Sequence, residues 1–341
     1  RATRSPAPNF AYELCVGKVE DAEIAGLDLS SWRYALSGAE PVSPEAVHRF
    51  VERYARYGFD PGALAPVYGL AECSLALAFT PIGRGPVVDS VDRETFQKTG
   101  EAVPAAEGLR FVSCGLPVPD HEIRIVDESG KELGERREGR LEFRGPSATS
   151  GYYRNPEATR KLIRGDGWLD SGDRAYIAGG EVCITGRVED LIIRAGRNLY
   201  PHELEDALGE IPGIRKGCVA VFGAADPGSG TERVVVLAET RERDESALDR
   251  LRQRVQDVAV DLLGTPADDV VLAPPQTVPK TSSGKVRRAA SRELYERGRI
   301  GRSRTRVWIQ LVHLAGSGAR AWLARRARLA ADLLYAGWFW L

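Results

Sequence analysis

Methionine is absent from the 341 residues, and the chain opens on Arg1 instead of an initiator residue. Cysteine is scarce, and its five residues form no CxxC pair and no Cys/His metal spacing. No secretory signal opens the sequence. We therefore expect buried thiols in the reducing environment of the cytoplasm. We also expect the sequence to be an internal piece of a longer one. The cysteines are Cys15, Cys73, Cys114, Cys183 and Cys218.

An excess of charge of one sign is also missing. There are 47 Lys and Arg residues against 48 Asp and Glu residues, which leaves a net charge of −1. This balance gives no argument for nucleic acid, and we expect no nucleic-acid partner. The chain is 43% hydrophobic and 28% charged, which is typical of a globular protein. Its length favours two or three domains.

The spacing of apolar residues and turns divides the chain into parts. Residues 1–82 are predicted to be α/β, with a helix that Ser43 caps and Pro44 begins. Residues 83–185 contain short strands and turns, including a predicted hairpin over 174–184, and indicate a β-rich subdomain. Residues 186–300 predict a small α+β domain. The apolar stripe of its longest predicted helix is Leu248, Leu251, Val255, Val258 and Leu262.

Residues 301–341 differ in composition, with seven arginines against one acid, Asp332. Four tryptophans are interleaved with them, and the last nine residues are uncharged. This pattern predicts a helix on a membrane surface, or the approach to a membrane segment, at the inner face of the membrane. The uncharged stretch is too short to span a bilayer, and a packed interdomain helix is the alternative.

The loop Pro279–Lys285 places a lysine after hydroxyl residues and a glycine. A phosphate-binding P-loop is excluded, because Val286 follows the lysine and position 279 is not glycine. We interpret Lys285 as a cation that is brought to a reaction site. A solvated surface loop is the alternative.

Four other segments precede Lys285 in the chain. Residues 37–41 form a small-residue turn after a predicted strand, where a flat ring could lie against the backbone. Residues 68–72, Tyr-Gly-Leu-Ala-Glu, place an aromatic ring and a carboxylate around a tight turn. Residues 167–173 end in a carboxylate held by a glycine turn, and residues 186–201 stand at a predicted domain boundary. Each segment is weak alone, but their order and spacing together favour one site.

These motifs resemble those of the adenylate-forming acyl-CoA synthetases and fatty acyl-AMP ligases. The resemblance covers roughly residues 5–298, and residues 8–15, 38–41 and 80–114 resemble the fatty acyl-AMP ligase branch in particular. It implies an α/β fold class: the C-terminal part of a large α/β plus β-rich adenylation domain, followed by a small mobile α+β domain.

The resemblance also implies an activity, ATP-dependent activation of a medium- or long-chain fatty acid to acyl-AMP. ATP and Mg²⁺ are the implied cofactors, and an acyl carrier protein or CoA is the implied acceptor. Lys285 would bridge the carboxylate and the α-phosphate, because it is a compact charge on a flexible stem. Glu72 would hold Mg²⁺, for which a carboxylate oxygen is a suitable ligand.

The remaining roles follow from the same resemblance. Asp173 would accept hydrogen bonds from both ribose hydroxyls. The small domain would rotate about a hinge at Glu189. Asn9, Phe10 and Gly196 would line the acyl or pantetheine tunnel. The implied nucleotide-binding residues are Ser37, Gly38, Ala39, Glu40, Pro41, Tyr68, Gly69, Leu70, Ala71, Asp173 and Arg187.

One part of the family pattern does not occur in this sequence, the Ser/Thr/Gly-rich phosphate loop that lies upstream of these motifs. We therefore expect truncation, and little activity from these residues alone. A non-catalytic remnant that binds nucleotide or carrier protein is an alternative, which the joint presence of Lys285, Glu72 and Asp173 disfavours. Another is the activating module of a fusion with a membrane-bound glycerolipid acyltransferase, which an HxxxxD motif beyond Leu341 would identify.

Overall fold

The computed structural model describes residues 2–194, 196–225, 232–281 and 284–300, so the predicted membrane-surface segment 301–341 lies outside it. The strands are β1 (Arg4–Pro8), β2 (Tyr34–Gly38), β3 (Leu64–Tyr68), β4 (Ala78–Phe79), β5 (Val88–Val91), β6 (Leu109–Val112), β7 (Leu116–Pro117), β8 (Glu122–Val126), β9 (Gly139–Arg144), β10 (Leu169–Ala178), β11 (Glu181–Arg187), β12 (Ile192–Arg194), β13 (Arg197–Leu199), β14 (Ile214–Ala225), β15 (Glu232–Thr240) and β16 (Asp269–Ala273). The helices are α1 (Asn9–Lys18), α2 (Pro44–Ala55), α3 (Arg93–Thr99), α4 (Pro156–Leu162), α5 (Pro201–Gly209), α6 (Glu245–Leu263) and α7 (Arg288–Glu296).

The first sheet has the order β1-β2-β3-β4-β7, in which β1, β2 and β3 are parallel. Strands β4 and β7 complete it in antiparallel pairing. Because β7 belongs to this sheet, the sheet contains strands from both sides of the predicted boundary at residue 82. Parallel strands end at the same edge of a sheet, where open α/β sheets bind ligands. The first residues of α1 and the turns 38–41 and 69–72 therefore lie at that edge.

Helix α2 confirms the predicted cap. The Ser43 side chain accepts a hydrogen bond from the Ala46 backbone N–H at 3.4 Å, and Pro44 is the first helical residue. Phe50 is buried on α2 and meets the Tyr12 ring of α1 edge to face, at 4.9 Å between ring centroids. This packing fixes α1 against the first sheet and so fixes the start of α1 at the strand edge.

The second sheet, β11-β10-β9-β8, is antiparallel and contains the predicted hairpin, which joins β10 to β11. Its register places Asp173 opposite Arg187. Strand β11 continues to Arg187, so the predicted boundary at residue 186 lies inside it. The chain leaves the sheet through a short 3₁₀ turn, Val188–Asp190.

The third sheet has the order β14-β15-β16 and packs with α5 and α6 around one apolar core. The Asp244 side chain caps α6 by accepting from the Ala247 N–H at 2.9 Å. The predicted apolar stripe of α6 needs correction at its C-terminal end. Val258 and Leu262 are only partly buried. The buried face advances four residues at a time along α6, so it includes Ala259 and Leu263, which the predicted stripe omitted. That face is Leu251, Val255, Ala259 and Leu263.

The cysteines confirm the predicted buried thiols in large part. Cys73, Cys114, Cys183 and Cys218 are buried, Cys15 is half-buried, and all five are free. Burial raises the pKa of Cys114 to about 12, which keeps that thiol protonated at neutral pH. Within the described ranges, no helix combines the length and apolar character that a membrane crossing needs.

His202 at the start of α5 gives a testable pH dependence. Burial, with help from the Arg288 charge, lowers its pKa from 6.5 to about 4. The folded protein therefore holds His202 neutral while the unfolded chain protonates it, so its contribution is complete above about pH 6.5 and is lost as pH falls to about 4. The difference amounts to about 3 kcal/mol of unfolding free energy. We expect His202→Gln to remove most of this acid-induced loss, measured by urea unfolding at pH 7 and pH 4.5.

The control for this experiment is His48→Gln, because His48 is an exposed residue of α2. The control should keep the wild-type dependence on pH. A wild-type dependence in His202→Gln itself would contradict the prediction.

Candidate active site

Tyr68 at the end of β3 meets Asp173 of β10 across the two sheets. The Tyr68 hydroxyl donates a hydrogen bond to Asp173 Oδ2 at 2.6 Å, and Arg187 Nε lies 3.7 Å from Asp173 Oδ1. Burial raises the pKa of Asp173, while the Tyr68 hydrogen bond and the Arg187 charge oppose that rise. Burial and the adjacent carboxylate raise the pKa of Tyr68 well above 10. Three residues predicted from separate motifs thus form one polar cluster.

The turn Ser37–Pro41 lies beside this cluster because β2 is paired with β3. Ser37 is buried, and its hydroxyl has no hydrogen-bond partner among the described residues. A Cβ at Gly38 would lie 2.7 Å from the Val67 carbonyl oxygen, so glycine is required by strand packing here. Ala39 has a φ of 67°, in the left-handed region, which costs a non-glycine residue about 1–2 kcal/mol. Backbone strain and an unpartnered buried hydroxyl are both typical of a ligand-contacting turn.

Glu72 lies in the 3₁₀ turn Ala71–Cys73, which follows Tyr68 through Gly69 and Leu70. The Tyr152 hydroxyl donates a hydrogen bond to Glu72 Oε1, and this bond raises the pKa of Tyr152 to about 12. The other carboxylate oxygen has no hydrogen bond within the described residues. One oxygen of Glu72 is therefore engaged and the other is available.

Lys285 lies between β16 of the third sheet and α7, and it is placed near the same strand edge. Its backbone N–H donates to Thr281 Oγ1 at 3.1 Å, which closes the loop around Gly284. A Cβ at Gly284 would lie 3.9 Å from the Phe10 ring of α1. Within the described ranges, the Lys285 ammonium has no hydrogen bond or ion pair. The Lys285 ammonium is thus close to the site, and in the described part of the chain it pairs with no protein group.

Glu40 connects the turn after β2 with both Phe10 and Lys285. Its Oε1 accepts the Phe10 backbone N–H at 2.6 Å. Burial raises the pKa of Glu40, while that hydrogen bond and the Lys285 charge act to lower it. The side chain of this predicted nucleotide-binding residue therefore caps α1 and faces the lysine.

Four charged residues join the two parts of the molecule that carry this site. Arg49 of α2 lies 3.2 Å from Glu13 of α1 and 3.2 Å from Glu210 at the end of α5. Lys216 of β14 lies 3.3 Å from Glu13 and 2.5 Å from Glu210. We call these residues the four-charge ring. The ring and the Arg93–Glu203 pair, at 2.5 Å, connect the third sheet's domain, which carries Lys285, to the rest of the molecule, and a buried aromatic contact of Tyr200 adds to them.

The other predicted residues are placed as follows. Asn9 is buried, and its Oδ1 accepts the Ser43 N–H at 3.3 Å. Glu189 lies in the 3₁₀ turn after β11, 3.2 Å from Arg187. Gly196 has a φ of 74° in the turn between β12 and β13, where a Cβ would meet no described atom within 4 Å. No contact brings Gly196 together with Asn9 or Phe10 in the described part of the chain.

Tyr152 is the site residue that sequence reasoning missed. It stands in the segment Gly151–Thr159, where an asparagine caps a helix that begins with proline. A helix cap close to a pair of tyrosines was therefore the sequence feature that could have indicated Tyr152. The tyrosine hydroxyl itself reaches Glu72 across 80 residues of sequence.

The donor set fits both a nucleotide and a hard cation. Asp173 offers carboxylate oxygens beside an aromatic ring and a guanidinium, and Glu72 offers one available oxygen. No group of three or more His, Cys, Asp or Glu side chains in the described ranges could hold a metal ion. A single carboxylate suits Mg²⁺, which keeps water ligands and binds substrate phosphates together with one or two protein carboxylates.

Comparison with known proteins gives a consistent match. The family described as AMP-binding enzyme matches residues 3–153. A Caulobacter vibrioides protein assigned as an acyl-CoA synthetase is 38% identical over 88% of this chain and 53% of its own length. The long-chain-fatty-acid–AMP ligase FadD26 of Mycobacterium tuberculosis is 34% identical over 85% of this chain and 52% of its own.

A solved structure extends this match to the fold. A structure from studies of fatty acyl-adenylate ligases of E. coli and L. pneumophila has 37% identity and a TM-score of 0.80, over 86% of this chain and 53% of that one. The chain spans about half the length of the curated relatives it matches.

Proposed function

We propose, on the premise that this chain belongs to the AMP-binding enzyme family, that its protein activates a fatty acid with ATP to give acyl-AMP and pyrophosphate. The observation that carries the proposal is the position of Lys285. It lies beside Phe10 and Glu40, at the strand edge that also carries the Tyr68–Asp173 cluster and Glu72. The names of the relatives, which include fatty-acid and fatty acyl-adenylate ligases, support the same chemistry.

Each residue has a role in that reaction. Negative charge accumulates where the fatty carboxylate approaches the α-phosphate, and the uncommitted Lys285 ammonium can bind both anions. Asp173 would bind the ribose hydroxyls, and Tyr68 and the turn at Ser37 would flank the adenine. Mg²⁺, when bound at Glu72, would neutralise charge on the phosphates.

The acceptor of the acyl group is an acyl carrier protein or CoA in this proposal. Transfer requires Lys285 to leave the site, and the turn at Glu189 is the proposed hinge. Such a rotation must separate the two sides of the four-charge ring. We place the reaction in the cytoplasm, and membrane contact through residues 301–341 remains a prediction.

Fatty-acid-dependent exchange of labelled pyrophosphate into ATP tests the proposal. We expect the natural full-length protein to show exchange with medium- or long-chain fatty acids and none without fatty acid. A carrier protein and CoA, offered together with labelled fatty acid, identify the acceptor. Nucleotide binding without any exchange would support the non-catalytic alternative and contradict the proposal.

A further inference from the structure

The turn that carries Glu72 is held by the segment Ser147–Tyr152. The Thr149 backbone N–H donates to the Glu72 carbonyl oxygen at 2.7 Å, and Ser147 Oγ donates to the Cys73 carbonyl oxygen at 2.9 Å. The Tyr152 hydroxyl supplies the contact to the carboxylate itself. Two of these contacts fix the backbone of the turn, and only the third fixes the orientation of the Glu72 side chain.

Tyr152 is itself held by α4. Its backbone N–H donates to Thr159 Oγ1 at 2.9 Å. The preceding Gly151 has a φ of 132°, and a Cβ there would lie 2.5 Å from the Thr159 side chain. Asn155 caps α4 by accepting from the Ala158 N–H at 3.1 Å. The hydroxyl therefore comes from a backbone position that a capped helix fixes.

We propose that Tyr152 is a positioning residue, which holds Glu72 so that one carboxylate oxygen faces a divalent cation. The inference rests on the proposed function, because the cation is the one that accompanies the nucleotide. Mg²⁺ requires near-octahedral geometry, so a carboxylate that presents one fixed oxygen suits it better than one that rotates freely. Hydrogen bonds to ligating carboxylates commonly provide this orientation, and their loss weakens metal binding about 10- to 100-fold.

A merely structural role for Tyr152 makes a different prediction. If the tyrosine only anchored its loop, loss of the hydroxyl would lower thermal stability and leave cation affinity unchanged. The side chain is 41% exposed, so Tyr152→Phe keeps the ring and creates no buried cavity. The matched control is Tyr153→Phe, because Tyr153 is adjacent and 86% exposed, and its ring lies beside the Arg154 guanidinium, away from Glu72.

The experiment measures Mn²⁺ binding by the paramagnetic resonance signal of free Mn²⁺, in the full-length protein with α,β-methylene ATP present. We expect Tyr152→Phe to bind Mn²⁺ about tenfold more weakly than wild type, and Tyr153→Phe to bind as wild type does. The thermal midpoint of each variant reports its fold. Removing the Tyr152 hydroxyl from a Glu72→Gln background should have no further effect, because the group that it orients has changed.

The outcomes separate the two proposals. Equal Mn²⁺ affinity in Tyr152→Phe and wild type overturns the positioning role and leaves the proposed function intact. A further loss of affinity in the Glu72→Gln background also overturns it, because the hydroxyl would then act independently of Glu72. Wild-type protein that neither binds Mn²⁺ with the nucleotide nor exchanges pyrophosphate overturns the proposed function instead.

Discussion

Lys285→Ala is expected to lower fatty-acid-dependent ATP–pyrophosphate exchange by about 100- to 1000-fold, the usual loss when one preorganised electrostatic group is removed from a reaction centre. Lys285 is the cation that the structure places beside Phe10 and Glu40 without an ion pair of its own in the described ranges. Its loss would leave the approach of two anions uncompensated. Initial rates of exchange at saturating ATP and fatty acid measure the effect.

Lys280→Ala is the matched control, because it removes the same charge from the same loop. Lys280 is exposed, and its ammonium contacts the Cys218 thiol at 3.2 Å instead of facing the strand edge. We expect the control to retain exchange within about twofold of wild type, a difference of less than 0.5 kcal/mol in activation free energy. Undiminished exchange in Lys285→Ala would remove Lys285 from the proposed site.

Gly69→Ala is expected to lower the free energy of unfolding by about 3 kcal/mol, within the range for steric overpacking. A Cβ at Gly69 would lie 2.0 Å from the Leu75 carbonyl oxygen, which is backbone and cannot rotate away. The turn from Tyr68 to Glu72 would have to open, so nucleotide and cation sites would be disturbed together. Urea unfolding measures the loss of stability.

Gly134→Ala is the control for this change. Gly134 is exposed, its φ is not positive, and a Cβ there would meet no atom within 4 Å. We expect its unfolding free energy to stay within about 0.5 kcal/mol of wild type, as for ordinary surface substitutions. Equal stabilities for the two variants would mean that the turn relaxes at little cost.

The order of motifs predicted the polar cluster of Tyr68, Asp173 and Arg187 well, because strand ends and glycine turns leave local signals in a sequence. The role of Glu40 could not be predicted in this way. Helix α1 begins after Pro8, which offers no side-chain cap, so its first N–H groups need an acceptor from elsewhere. Glu40 supplies that acceptor across 30 residues of sequence, and no local pattern reports such a contact.

Tyr152 shows the same limit for the site itself. Its position follows from the contacts of the segment Ser147–Tyr152 with the Glu72 turn, and Tyr152 lies 80 positions after Glu72 in the sequence. Periodicity predicted Leu251 and Val255 of the buried face of α6, but it missed Ala259 and Leu263, because the small Ala259 broke the apolar pattern on that face. Periodicity identifies faces and motifs identify turns, but a contact between distant turns depends on the tertiary fold.

The four-charge ring makes the docking of the third sheet's domain sensitive to ionic strength. The ring consists of partly exposed charges, with side-chain exposures of 22% to 53%. Attraction between such charges is screened as the Debye length shrinks from about 8 Å at physiological ionic strength to about 3 Å at 1 M. The apolar core of each domain is not weakened by that screening. Salt should therefore weaken the contribution of the ring to the domain arrangement and leave the aromatic contact of Tyr200 with Phe96 and Phe111 unscreened, so ionic strength acts on one part of the docking contact and not on the other.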